Sequence, residues 1–398
     1  MSGSRAQRLA ARRAERRRSA RRGGMVAAAS VVAAVGTITG MVSALDDDRG
    51  PDEARPLVTR SPSLRPPPTV TGPPSPAPSR SVVSALPSPS RTPGKPSPKP
   101  TGKKAAEAVT TPARLYRHPD SQVVDWVAAN PADPRRAVIE SRIADRPAAV
   151  WFTDPTPSAT TSRVRAVTSG GAAQGRTPVV VAYAIPDRDC GGASEGGAPD
   201  LDAYDAWIDA FAAGLGSGEV IVILEPDSIA QSDCLPAGRR ADRFASLARA
   251  GRVLKAANPK ARVYYDAGHS EWNAADKQAA LLRQAGAASS VSSDGVFSNV
   301  SNFHRTGAEA AYTRKVLDAL GGPASLGAVI DTSRNGNGAP ADGEWCDPAG
   351  RRLGQPPTLS TGEARIDAYL WVKLPGESDG CRGAAGTFSP GYAYDLAR

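Results

Sequence analysis

Six stretches of this chain share one pattern: a short apolar or β-branched run followed at once by polar side chains able to do chemistry. They are Asp189, Asp227, Asp266 with His269, Ser301-Asn302, Asp331 with Arg334, and Lys373 with Glu377 and Asp379. One Asp after a strand means little, because Asp commonly caps helices. Six such ends in one register suit proton transfer on a substrate with a poor leaving group. There is no Ser-His-Asp arrangement and no phosphate loop. The three His (His118, His269, His304) are widely spaced and no Cys-x-x-Cys occurs, so neither a metal nor another cofactor is expected. Cleavage of a glycosidic bond fits this inventory, since it needs one carboxylic acid kept protonated and usually a second carboxylate. Asp189 and Asp227, from neighbouring strand ends, form the candidate pair, because two close like charges resist joint ionisation. Glu225 is the rival acid or nucleophile. It is disfavoured because residues two apart on an extended chain point the same way. Aromatics are only 5% of residues, yet Trp151, Trp272 and Trp345 all fall beside strand ends or in the loops after them, where indole faces suit pyranose rings.

The elements that must position these groups are legible as alternation. Strands are expected at Ala149–Phe152, Val179–Tyr183, Val220–Leu224, Arg262–Tyr265, Gly295–Asn299, Gly327–Ile330 and Ala368–Val372. Helical spacing appears between them, as in Tyr204, Trp207, Ile208, Phe211 and Leu215. Strands alternating with helices predict an α/β protein, a distorted parallel β/α barrel of about seven strands whose C-terminal rim carries the site.

The first third of the chain is different. Residues 1–24 hold nine Arg against Glu15, a cytoplasmic basic arm. Of the net charge of +9, that arm supplies +8 and residues 25–104 supply +5 (ten basic, five acidic), which leaves 9 − 8 − 5 = −4 on residues 105–398. The folded part therefore lacks the basic face a nucleic-acid partner would need. Residues 25–45 are apolar or small, long enough to cross a bilayer as a signal anchor, with Val42-Ser43-Ala44 resembling a signal-peptide cleavage site. Either reading places residues 46–398 outside the cytoplasm. Residues 46–111 are rich in Pro, Ser and Thr, a spacer unable to bury enough apolar surface to order itself. Residues 112–398 form the catalytic domain, expected to be monomeric. In an exported domain its four Cys (Cys190, Cys234, Cys346, Cys381) read as two disulfides. No separate binding module is expected between the apolar segment and this domain.

Several longer motifs point further. Tyr183-Ala184-Ile185-Pro186-Asp187-Arg188-Asp189-Cys190-Gly191-Gly192, Leu224-Glu225-Pro226-Asp227, Asp266-Ala267-Gly268-His269-Ser270, Ile330-Asp331-Thr332-Ser333-Arg334 and Trp371-Val372-Lys373-Leu374-Pro375-Gly376-Glu377-Ser378-Asp379-Gly380-Cys381 resemble, in order, glycoside hydrolase family six, the inverting cellulases. The resemblance covers about residues 115–398. It implies an endo-β-1,4-glucanase acting on cellulose or related β-glucan. Asp227 matches the general acid, Asp189 the aspartate that raises its pKa, and Asp379 the proposed base. Tyr183 matches the residue that distorts the reactive sugar, and Ser301 one that places the attacking water. Trp151, Trp272, Trp345, His269, Asn302, Lys373 and Glu377 match substrate contacts. The disulfides implied are Cys190–Cys234 and Cys346–Cys381. Two departures stand out. Asp187 occupies a position familiar as Gly, adding a carboxylate near the acid pair, and Phe303-His304-Arg305 replaces a Tyr-x-Trp pattern. Arg334 and Asp331 could equally form a buried ion pair. Only short segments such as Ala384–Pro390 come after Asp379, so an open cleft and internal cleavage are expected. A cellobiohydrolase is the alternative enzyme and a glucan-binding protein without catalysis the alternative class.

Overall fold

The computed structural model describes residues 114–398. The arm, the apolar segment and the spacer expected at 1–111 lie outside the described residues.

Seven strands pair in parallel in the order of the chain: β1 (Val150–Phe152), β2 (Val179–Ala182), β3 (Val220–Leu224), β4 (Ala261–Asp266), β5 (Gly295–Ser298), β6 (Gly327–Asp331) and β7 (Ile366–Leu370). Helices α1 (Gln122–Ala129) and α2 (Arg136–Ile139) precede β1, while α3 (Pro157–Ala173), α4 (Leu201–Ala212), α5 (Ala237–Ala257), α6 (Ala275–Gln284) and α7 (Thr306–Leu320) follow β1 to β5 in turn. Helix α8 (Pro390–Ala397) ends the chain.

Period-two alternation sends successive side chains to opposite faces, and both faces are buried. Val180, Ala182, Val220, Val222, Val263, Tyr265, Val296, Ala328 and Ile330 pack outward with the helices, including Val164, Trp207, Phe244 and Leu317. Val179, Val181, Ile221, Ile223, Tyr264, Phe297, Val329, Ala368 and Leu370 converge on a second core, enclosed by the curl of the sheet. No strand ladder joins β1 to β7, so the sheet is a curled, incompletely closed barrel. The seam is bridged past the ladder instead: Ala149 N–H donates to Trp371 O at 3.0 Å, and Trp151 Nε1 donates to Val372 O at 2.7 Å.

Candidate active site

Apart from Trp151, which lies within β1, the candidate residues lie in the loops that follow the strands' C-terminal ends, and several of these loops are strained. Nine non-glycine residues among those described have positive φ, and seven of them, Asp187, Asp189, Cys190, Glu225, Asp227, Asn299 and Ser301, lie in the loops after β2, β3 and β5. Such conformations persist only where the surroundings over-determine them, as at functional sites. The loop after β2 closes on itself at Gly197, where a Cβ would stand 1.9 Å from Ile185 O. The adjacent Ala198 N–H then reaches Ala184 O at 2.7 Å.

Asp227 has φ 69°. Burial, then the carboxylates of Asp266 and Asp189, hold its carboxyl well above the usual carboxylate range. Asp189 Oδ2 accepts from Ser194 N–H at 2.8 Å and from Ser194 Oγ at 2.9 Å. That hydroxyl also meets Tyr183 Oη at 2.9 Å, so Tyr183, Ser194 and Asp189 form one chain of contacts. The Tyr183 ring is fixed edge-on against Trp151, centroids 5.2 Å apart, with the Arg188 guanidinium 4.7 Å over its face.

Glu225, two residues before Asp227, turns to the end of β2. It is fully buried and accepts from the N–H groups of Ala184 and Ile185 at 3.0 Å. The expectation that Glu225 and Asp227 point alike fails because both have left-handed φ, 50° and 69°, so the chain is not extended between them. Glu225 thus braces β3 against the end of β2. Asp187, expected to add charge near the acid pair, is exposed and pairs with Arg239 at 2.8 Å.

A second cluster centres on Asp379. Arg334 donates to its Oδ2 at 2.6 Å, Lys373 Nζ lies 3.2 Å from Oδ1, and Asp347 N–H donates to Oδ2 at 3.1 Å. Arg334 also donates to Ser301 O, which brings Ser301 into the cluster. The Arg334–Asp331 ion pair considered from sequence does not form. Asp331 instead accepts from Ser333, Ser301 and Lys373 backbone N–H groups at 2.9, 3.3 and 2.8 Å. Burial raises the Glu377 carboxyl pKa above its ordinary value, against the pull of Lys373. Asn302 turns its amide to Val300 O at 3.1 Å.

After β4, His269 lies between two rings. The His304 ring stacks on it at 4.2 Å and Trp272 lies 5.2 Å away, tilted. Burial, then His304, lowers the His269 pKa to about 4, so its imidazole is neutral at neutral pH. Trp345 stands 57% exposed, beside Cys346, which is bonded to Cys381. Cys190 is bonded to Cys234, joining the Asp189 loop to the chain beyond Asp227. A cavity of about 560 Å³ opens elsewhere, where the chain enters β1 and β2 between Pro147 and Arg176, and contains none of these groups.

Sequence alone assigns no role to Ser194 or Asp347. Asp347 accepts from Ser378 Oγ and from the N–H groups of Asp379, Cys381 and Arg382 at 2.6–3.0 Å, fixing the Asp379 loop. Its position between Cys346 and Pro348, in a segment with turn chemistry, was the available signal.

A carboxyl group with a raised pKa on a rim set with indoles and fixed charges is the equipment of a glycoside hydrolase. The family model for glycosyl hydrolases family 6 matches residues 110–396, and the chain belongs to that family. It is 51% identical over 284 residues to endoglucanase 1 of Streptomyces sp. (strain KSM-9), covering 71% of this chain and 77% of that protein. It is 48% identical to endoglucanase A of Thermobispora bispora, covering 71% and 61%. The endoglucanase Cel6 of Mycobacterium tuberculosis, solved in complex with methyl-cellobiosyl-4-deoxy-4-thio-β-D-cellobioside, is 40% identical with a TM-score of 0.66, covering 72% of this chain and 96% of that one.

Proposed function

We infer that the chain is an endo-β-1,4-glucanase that hydrolyses internal bonds of cellulose or a related β-glucan with inversion, Asp227 giving its proton to the leaving oxygen. The observation that carries this reading is the burial of Asp227 beside the carboxylates of Asp266 and Asp189, which together raise its pKa well above the ordinary carboxylate range. A glycosidic oxygen is a poor leaving group and needs such an acid at near-neutral pH. Asp189, linked through Ser194 to Tyr183, keeps the acid's pKa high and offers a route for the proton's return. Water attacks from the opposite face near Ser301. Asp379 assists directly or through an intervening water, its negative charge held in place by Arg334 and Lys373. Tyr183 presses the reactive sugar, and Trp151, Trp272 and Trp345 line the chain's path. Neutral His269, with Asn302, Lys373 and Glu377, meets hydroxyl groups.

The endoglucanase names of the relatives and the short loop after Asp379 support internal cleavage. Incubating the full chain with soluble carboxymethyl cellulose should lower viscosity well ahead of reducing-end release. Proportionate changes would point to a chain-end enzyme, and no change to a binding protein. The two disulfides support export from the cytoplasm, with residues 25–45 as the signal or anchor. N-terminal sequencing of the mature protein separates these: a start just after Ala44 means cleavage, and retention of the basic arm means an anchor.

A further inference from the structure

Asp189 and Asp227 belong to two separate loops, and both loops run through left-handed residues. The disulfide Cys190–Cys234 joins these loops on one side. Beside that disulfide and the Glu225 contacts to Ala184 and Ile185, one buried cation also spans them. Arg243, in α5 and only 3% exposed, directs Nη2 to Pro186 O at 2.6 Å and to Asp187 O at 3.2 Å, and Nη1 to Ser228 O at 3.4 Å. Pro186 and Asp187 lie just before Asp189, and Ser228 directly follows Asp227.

A buried cation ordinarily finds a carboxylate. Arg243 has no ion pair among the described residues and spends its fork on three carbonyl oxygens of the two loops. Its charge is offset at longer range by Asp187 and Glu225. Carbonyls on two chain segments require a planar group with several diverging donors, which Arg supplies and Lys does not.

We propose that Arg243 is a positioning residue for the reaction: it locks the Asp189 loop against the Asp227 loop and so sets the separation of the two carboxyl groups. The proposal rests on Asp227 being the general acid. If the lock is released the carboxyls drift apart. Asp227 then feels less repulsion from Asp189, loses its proton at lower pH, and is misaimed at the leaving oxygen. Sugar binding, which depends on other walls of the cleft, changes little.

The test compares Arg243→Lys and Arg243→Met with the parent chain, alongside Asp227→Ala as a control. Substrates are carboxymethyl cellulose and a cello-oligosaccharide bearing a good aryl leaving group, with melting temperature followed throughout. The expected result is a folded Arg243→Lys protein whose kcat on the unactivated glucan falls about 10- to 100-fold. Loss on the aryl substrate should be several-fold smaller, KM should change little, and the basic limb of the pH–rate profile should move to lower pH. Arg243→Met should show the same pattern more strongly. Parent-like kcat and pH profile in both variants, or equal loss on both substrates with an unmoved basic limb, overturns the positioning role. If Asp227→Ala itself fails to spare the aryl substrate, the acid assignment falls, and this inference with it.

Discussion

Arg334 and Asp379 form an ion pair in which neither partner faces open water, with side-chain exposures of 0% and 8%. Removing one member of a buried pair strands the other charge, which typically costs about 3–5 kcal/mol. Lys373 also reaches Asp379, so Asp379→Ala leaves two cations without their shared anion. The variant should therefore lose both stability and activity. A denaturation midpoint equal to the parent's would show that the pair contributes nothing to the fold. Full activity would remove Asp379 from the mechanism.

Asp227→Ala should leave a folded protein nearly inactive on unactivated glucan, because general acid assistance typically contributes ~10²–10⁴-fold. Substrates with a good leaving group need less protonation and should be partly spared. Rates on both substrate types, measured at the same pH, check this. Unchanged activity on carboxymethyl cellulose would exclude Asp227 as the acid.

Most of the fold was legible because the strands are short β-branched runs, and Val220–Leu224 is a strand over the range expected. The seventh strand starts two residues earlier than its apolar run suggests. Its true start contains Asp367, a carboxylate tied to Tyr264 Oη at 2.7 Å, which hid the alternation. The apolar Trp371-Val372 that resembled its end instead bridges the seam. The strand-end register of polar groups also survived folding. What sequence could not supply was pairing across distance and local handedness. Arg334 finds Asp379 45 residues on rather than its near neighbour Asp331. Positive φ at Glu225 and Asp227 breaks the extended chain that would align their side chains.

Glu225 should give the protein a pH-dependent stability term. Burial raises its pKa from 4.5 to about 7. A carboxyl whose folded pKa lies above its unfolded value contributes stability that is fully present below about pH 4.5 and lost as pH rises through about 7. The difference corresponds to about 3 kcal/mol. In Glu225→Gln this loss should vanish, although the amide supplies one acceptor fewer to the Ala184 and Ile185 N–H groups. The denaturation midpoint of the parent should therefore fall relative to that of the variant as pH rises from 4 to 8. A constant difference would mean that Glu225 is ionised throughout.

Trp345 is the most exposed of the three rim indoles, so its removal should cost little stability. If its face takes a sugar ring, Trp345→Ala should weaken binding of a soluble glucan by about 0.5–1.5 kcal/mol, the scale of one stacking contact. Affinity electrophoresis with and without hydroxyethyl cellulose reads this directly, and equal retardation of parent and variant would place Trp345 outside the path of the glucan.

The stereochemical outcome tests the assignment as a whole. In an inverting site the acid and the group assisting water stand roughly 6.5–9.5 Å apart, leaving room for the water, whereas a retaining pair stands about 5–5.5 Å apart and forms a glycosyl-enzyme. Retention here would require a second carboxylate able to reach the anomeric carbon. Glu225, the rival considered for that role, is turned into the interior with no exposed surface and is bonded to two backbone N–H groups. Asp379 is held by Arg334, Lys373 and the Asp347 N–H, so a covalent bond to sugar would have to displace those contacts. The proposed roles therefore make water the nucleophile. On that assignment water attacks opposite the leaving oxygen while Asp227 protonates that oxygen, and the β-linked sugar is expected as the α anomer. Proton NMR of a cello-oligosaccharide digest, recorded before mutarotation, should show the α signal of the new reducing end rising first. A β signal rising first would reject inversion, and with it the roles given to Asp227 and Asp379.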